Sequence, residues 1–132
     1  MKKDYIIALD QGTTSSRCII FNKQGEIVAV SQKEFEQIYP EGGWVEHNPM
    51  EIWGTQIGVT GEALAKAGLD ATDIASIGIT NQRETTILWD KLSGKALYPA
   101  ISWQSKHTID IVNDWIEKGC EDKVLNKTGL KI

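Results

Sequence analysis

Between Tyr5 and Phe35 three short apolar runs follow one another with only tight polar turns between them. That spacing constrains the fold more than any other feature of the sequence. A crossover between parallel strands takes about a dozen residues or more, so runs this closely spaced can pair only as hairpins. The first run, Tyr5 to Leu9, ends at Asp10 and is followed by Gln11-Gly12-Thr13-Thr14-Ser15. The second, Ser16 to Phe21, is followed by the turn Asn22-Lys23-Gln24-Gly25. The third, Glu26 to Phe35, alternates, with Ile27, Ala29 and Phe35 on one parity and Val28 and Val30 on the other. Three consecutive strands of an antiparallel meander are expected.

A loop from Ile38 to His47, marked by Pro40, Gly42 and Gly43, separates the meander from a helix. Asn48 is placed to cap that helix, Pro49 fits its first position, and Glu51 stands three residues after the cap. Trp53, Ile57, Thr60 and Leu64 recur at helical spacing, and Gly68 is a natural stop. Gly54, Gly58 and Gly61 each weaken a helix by roughly 1 kcal/mol relative to alanine. Their stripe is read as close packing on the sheet, with simple local weakness as the alternative. Ala75 to Thr80 is expected to be a buried strand. Thr85 to Trp89 and Leu97 to Trp103 are expected to be extended, Lys106 to Lys118 a second helix ended by Gly119, and Glu121 to Asn126 a further turn or two. Trp44, Trp53, Trp89 and Trp115 are assigned to packing. The order resembles the opening of the ribonuclease-H-like α/β fold, the mixed sheet at the core of actin-like ATPases and sugar kinases.

Charge excludes some functions. The net charge is −4 and the lysines are scattered, so the basic footprint of a nucleic-acid binder is missing. No apolar stretch approaches the ~20 residues of a membrane span, and the few apolar residues before Asp10 are too short for a signal peptide. A cytoplasmic protein is expected, with Cys18 and Cys120 as reduced thiols. No CxxC pair points to zinc, and the Asn126-Lys127-Thr128 sequon carries no weight in that compartment.

Three segments carry chemistry. In Asp10 to Arg17, a strand ends on a carboxylate and turns through a glycine and several hydroxyls. Backbone amides in such a turn can form an anion-binding concavity. Thr13, Thr14 and Ser15 add donors, Asp10 can hold Mg²⁺ through water, and Arg17 can neutralise phosphate charge. An ordinary polar hairpin is the alternative. Neither a Walker A loop nor GxGxxG occurs. In Ile77 to Thr86, a strand runs into a polar cluster where Arg83 offers donors and Glu84 an acceptor, suited to vicinal hydroxyls; a solvated pair is the alternative. In Ile101 to Gln104, Trp103 can wall the carbon face of a polyol or serve as core. His47 and His107 are read as isolated structural or exposed residues.

Together ALDQGTTSSR (Ala8 to Arg17), GWVEHN (Gly43 to Asn48), IGITNQRETT (Ile77 to Thr86), ISWQ (Ile101 to Gln104) and Thr128-Gly129-Leu130 resemble the glycerol kinases of the FGGY carbohydrate kinase family. The matches are in order and span nearly the whole chain. The resemblance implies ATP-dependent, Mg²⁺-assisted phosphorylation of glycerol to sn-glycerol 3-phosphate. It implies Asp10 as the magnesium organiser, and Thr13, Thr14, Ser15 and Arg17 at the nucleotide phosphates. Thr13, Arg83, Glu84 and Trp103 would then stand at glycerol. The full-length enzyme is implied to be a homo-oligomer. Because family members are several times longer, residues 1–132 are expected to be the N-terminal part of the first kinase domain. The general base, adenine pocket and second domain would lie beyond Ile132, and the piece would be inactive alone. Ser105-Lys106-His107 departs from an arginine-containing stretch common there. A truncated, non-catalytic module that binds nucleotide or a partner is the competing reading; a complete actin-like ATPase is excluded by length.

Overall fold

The computed structural model describes residues 3–132. The meander forms as expected: β1 (Tyr5–Gln11), β2 (Ser15–Phe21) and β3 (Ile27–Glu34) pair antiparallel in sequence order. The turn between β2 and β3 is locked by Asn22, whose Oδ1 accepts from the amides of Gln24 and Glu26 at 3.0 and 2.9 Å. This is the local side-chain substitute for a turn bond that asparagine supplies. After this meander, β4 (Glu46–His47) starts a separate short ladder and leads into α1 (Pro49–Ala67). The chain then returns through β5 (Ile74–Thr80), which lies parallel to β1. The four-stranded order is therefore β3-β2-β1-β5, with α1 as the crossover.

α1 begins and ends for the reasons its sequence implies. Asn48 accepts from the Met50 amide at 2.9 Å, and Gly68 adopts the left-handed conformation that closes a helix. The capping box does not form. Glu51 Oε1 instead takes the Glu36 amide at 3.1 Å and fastens the chain after β3 to the helix start.

The buried face of α1 also differs from the expected one. Thr55, Gln56, Val59 and Ala63 are buried, while Trp53 and Ile57 are exposed. The helix lies over β2 and β3, and the core consists of Ile7, Cys18, Ile20, Ala29, Val59, Ala63 and Ile74. Polar pairs decide the rotation of the helix. Ser16 Oγ bonds Thr55 Oγ1 at 2.8 Å, and Gln56 Nε2 donates to the Arg17 carbonyl at 3.2 Å. Gly54, Gly58 and Gly61 face outward, with open space where each Cβ would stand, so they do not mediate close packing on this sheet.

The strand β5 is an edge rather than a buried strand, with Ile77 and Ile79 exposed. Beyond it the chain folds back on itself through bridges between Thr86 and Ile101 and between Trp89 and Ala96. β6 (Ala100–Ile101) pairs with β4. α2 (Ile109–Glu117) and α3 (Glu121–Thr128) bury no residue. Trp53, Trp89 and Trp115 are all exposed, so they are not core packing. Trp44 stacks on His107, with ring centroids 3.7 Å apart.

Candidate functional site

The C-terminal ends of the parallel pair β1 and β5 open side by side, because their register runs from Ile6 with Ser76 to Asp10 with Thr80. In open α/β sheets ligands bind just beyond such strand ends. Asp10 and the following turn are thus brought beside Asn81 to Glu84. A third wall comes from Trp103, just after β6. These residues enclose a cleft of about 250 Å³ lined by Asp10, Gly12, Thr13, Arg83, Glu84 and Trp103, together with Gln11, Asn81 and Gln82. Segments as far apart in the chain as Asp10 and Trp103 therefore converge on one small polar space.

The turn from Gln11 to Ser15 is tight. The Gly12 amide donates to the Ser15 carbonyl at 2.9 Å, and a Cβ at Gly12 would lie only 3.1 Å from that oxygen. Among the described residues, the Thr13 and Thr14 amides make no backbone hydrogen bond. Thr14 is exposed and Ser15 Oγ is occupied by Gln32 Nε2 at 3.0 Å. Thr14, Ser15 and Arg17 do not line the cleft. Arg17 instead forms an ion pair with Asp10 through Oδ2. Among the described residues Asp10 Oδ1 has no protein partner, which leaves that oxygen for solvent or a hydrated cation.

Across the cleft, Arg83 and Glu84 stand exposed on the loop after β5. Glu84 holds φ at 62°, the one non-glycine residue described in left-handed backbone. Such strain, of order 1–3 kcal/mol, persists only where the surroundings fix it. Trp103 is half exposed, and its indole Nε1 donates to Thr13 Oγ1 at 2.9 Å. The indole is therefore held to the turn through its N–H while about half of the residue stays exposed.

Sequence reasoning missed the residues beneath this surface. His47 is completely buried, stacks edge-on against Phe35 with centroids 5.2 Å apart, and sits between Gln37 and Gln82. Burial pushes its imidazole below the ordinary histidine range, and the Glu51 carboxylate opposes that shift. His107 is not isolated either. Its ring packs on Trp44 and lies 3.0 Å from Glu46 Oε1, which also accepts from Tyr98 at 2.8 Å. In the sequence His47 stands inside the GWVEHN motif and His107 in the Ser105-Lys106-His107 stretch, but nothing local to either marks its partners.

Several comparisons with known proteins agree. The family model described as the FGGY family of carbohydrate kinases, N-terminal domain, matches residues 5–132. Glycerol kinase 1 of Clostridium tetani is 64% identical over 126 residues, covering 96% of this chain and 25% of that protein. The glycerol kinase of Burkholderia vietnamiensis is 58% identical over the whole chain, covering 26% of its own length. The chain thus spans about a quarter of the curated relatives it matches. Among solved structures, a Plasmodium falciparum glycerol kinase with ADP superposes with a TM-score of 0.84 at 31% identity, over 98% of this chain and 26% of that one. A gluconate kinase from Lactobacillus acidophilus gives 0.85 at 26% identity, over 96% and 25%. The sheet order, the strand-end cleft and these matches together place the fold with the actin-like, ribonuclease-H-like sugar kinases, and this chain belongs to the FGGY family of carbohydrate kinases, matching its N-terminal domain.

Proposed function

We propose that residues 1–132 form the N-terminal part of the first domain of an ATP-dependent glycerol kinase, which makes sn-glycerol 3-phosphate. The general base, the adenine pocket and the second domain are supplied from outside this sequence. The carrying observation is the cleft that sets the turn after Asp10 against Arg83, Glu84 and Trp103. Phosphoryl transfer asks a protein mainly for positioning and charge stabilisation, and a phosphate cradle facing a polyol clamp supplies both. The high identity to curated glycerol kinases supports glycerol rather than another polyol.

The geometry supports a role for each residue. The unused Thr13 and Thr14 amides and the Thr13 hydroxyl meet phosphate oxygens, with Ser15 shaping the turn through its carbonyl. Asp10 Oδ1 fits a magnesium ion held through water, since Mg²⁺ keeps much of its hydration and takes few carboxylates. That ion would screen the phosphate charge. Arg17 holds Asp10 in place and turns to the phosphates when nucleotide arrives. The Arg83 guanidinium donates to one glycerol hydroxyl while the Glu84 carboxylate accepts from another. The exposed part of the Trp103 ring covers the carbon chain. The same reading makes the full-length enzyme a cytoplasmic homo-oligomer; the free thiols of Cys18 and Cys120 accord with a reducing compartment.

Glycerol-dependent ADP release by the complete kinase tests the reading. Arg83→Ala should lower kcat/KM for glycerol by about 30- to 100-fold, the loss typical of a charge-assisted hydrogen bond, with the KM for ATP nearly unchanged. Preference of the wild-type enzyme for gluconate or a pentulose over glycerol would refute the substrate assignment.

A further inference from the structure

The polar contacts beneath the cleft close on themselves. Trp103 donates its backbone amide to Thr85 Oγ1 at 3.3 Å, and Thr85 Oγ1 donates to Gln82 Oε1 at 2.8 Å. Gln82 Nε2 faces His47 Nδ1 at 3.4 Å, and His47 Nε2 faces Gln37 Oε1 at 2.8 Å. Gln37 Nε2 reaches the Thr13 carbonyl at 3.4 Å, and Thr13 Oγ1 accepts from the Trp103 indole at 2.9 Å. Six residues from five separate stretches of chain thus form one ring, which starts and ends at Trp103.

The direction of each bond is dictated by chemistry. An amide oxygen can only accept and an amide nitrogen can only donate. Gln37 Oε1 therefore requires a proton on His47 Nε2, and Gln82 Nε2 requires a bare lone pair on Nδ1. Only the neutral imidazole with its proton on Nε2 satisfies both neighbours. An imidazolium would set two donors against each other at Gln82. The burial of His47, at 0% exposure, and of Gln82, at 9%, agrees with a ring made to stay neutral. Buried polar groups left with one partner missing are costly, so the members hold one another in a single arrangement.

The position of the ring gives it a task. Gln82 and Thr85 bracket Arg83 and Glu84, and Glu84 holds its left-handed backbone between them. Gln37 and Thr13 anchor the other end in the phosphate turn. We infer that His47, with Gln37 and Gln82, is a positioning residue that fixes the acceptor loop 81–85 in register with the phosphate turn, so that the groups on the two walls of the cleft keep their spacing. The inference rests on the function proposed above for what each wall binds; the geometric coupling itself does not.

Two variants test it in the complete kinase: Gln37→Leu, which removes one link at a half-buried site, and His47→Asn, which breaks the ring at its centre. The KM for glycerol should rise about tenfold in each, while the KM for ATP stays within about twofold. The double variant should cost little more than the worse single one, because a ring is opened only once. Amide hydrogen exchange over residues 81–85 should quicken by about tenfold in both, whatever the site binds. If His47→Asn does not fold, Gln37→Leu carries the test alone. A proportional fall in activity with both KM values and loop exchange unchanged would overturn the inference. Absence of glycerol turnover in the wild type would instead refute the substrate, leaving loop exchange to decide the coupling.

Discussion

Between Tyr5 and Ile74 one set of apolar side chains finds its partners, although Ile27, Trp53 and Ile57 remain in solvent. Ile7, Cys18, Ile20, Ala29, Val59, Ala63 and Ile74 close into one core between the meander and α1. From Ile77 onward Ile79, Leu88, Trp89, Leu92, Trp115 and Leu125 stand substantially in solvent, and α2 and α3 bury nothing. Apart from the stack of Trp44 on His107, what holds this second region to the first is polar. The Val45 amide bonds Ser105 Oγ, the Ser102 amide bonds the Val45 carbonyl, and the Lys106 amide bonds the Gly43 carbonyl, all near 3 Å. The cleft lies on the seam. The wall formed by the turn after Asp10 rises from the end of a packed strand, and the wall formed by Arg83 and Glu84 from a segment clamped by hydrogen bonds. A site built this way has one wall fixed by packing and one wall whose position depends on direction-specific polar contacts, which is why the ring through His47 matters.

The contrast can be broken most severely in the core. Ile20 is fully buried, and Ile20→Ala should destabilise the chain by roughly 2–5 kcal/mol in urea denaturation, with a cavity left between β2 and α1. A loss below about 1 kcal/mol would mean that the first region is no better packed than the second. A smaller effect should come with pH. His47 ordinarily titrates near 6.5 and is held lower by burial in the fold. As pH falls through 6.5 the unfolded chain takes up the proton first, so stability is lost from there down to the depressed folded value and levels off below it. The difference in urea midpoint between wild type and His47→Asn, followed across that window, should shrink as pH falls. A constant difference would mean that the imidazole is not held neutral. The smallest effect belongs to the second region: Trp115→Ala, at an exposed site, should change stability by no more than about 0.5 kcal/mol. A larger loss would show packing there that the fold does not display.

The two regions were also unequally legible in the sequence. The meander could be read because short apolar runs and turn residues such as Asn22 and Gly25 are local signals. So could the ends of α1, since Asn48 and Gly68 act on backbone within a turn of themselves. The face of α1 could not be read. Trp53 and Ile57 are the more apolar choice, yet Ser16 and the Arg17 carbonyl draw Thr55 and Gln56 inward, and that depends on strand register rather than on helical period. β4 and β6 are two residues each and pair across more than fifty positions, which leaves no periodicity to detect. Asp10, Thr13, Arg83, Glu84 and Trp103 stood out as polar or aromatic residues at the ends of apolar runs, and the structure does bring them to one cleft. Thr14, Ser15 and Arg17 shared the same motif but do not line that cleft, and Arg17 pairs with Asp10. Gln37 gave no signal, and His47 and Gln82, though inside the quoted motifs, showed no role, because single neutral polar residues acquire meaning only when folding sets them in line.

The left-handed backbone of Glu84 carries a consequence for anyone breeding a hardier protein from this one. Glycine occupies that conformation without steric cost, so selection for heat tolerance alone favours glycine at position 84. On the function proposed above, the same exchange deletes the carboxylate that would meet the substrate. Thermal hardiness and substrate capture are therefore opposed at this position, and a screen that scores only survival on heating will drift toward proteins that last longer and hold less.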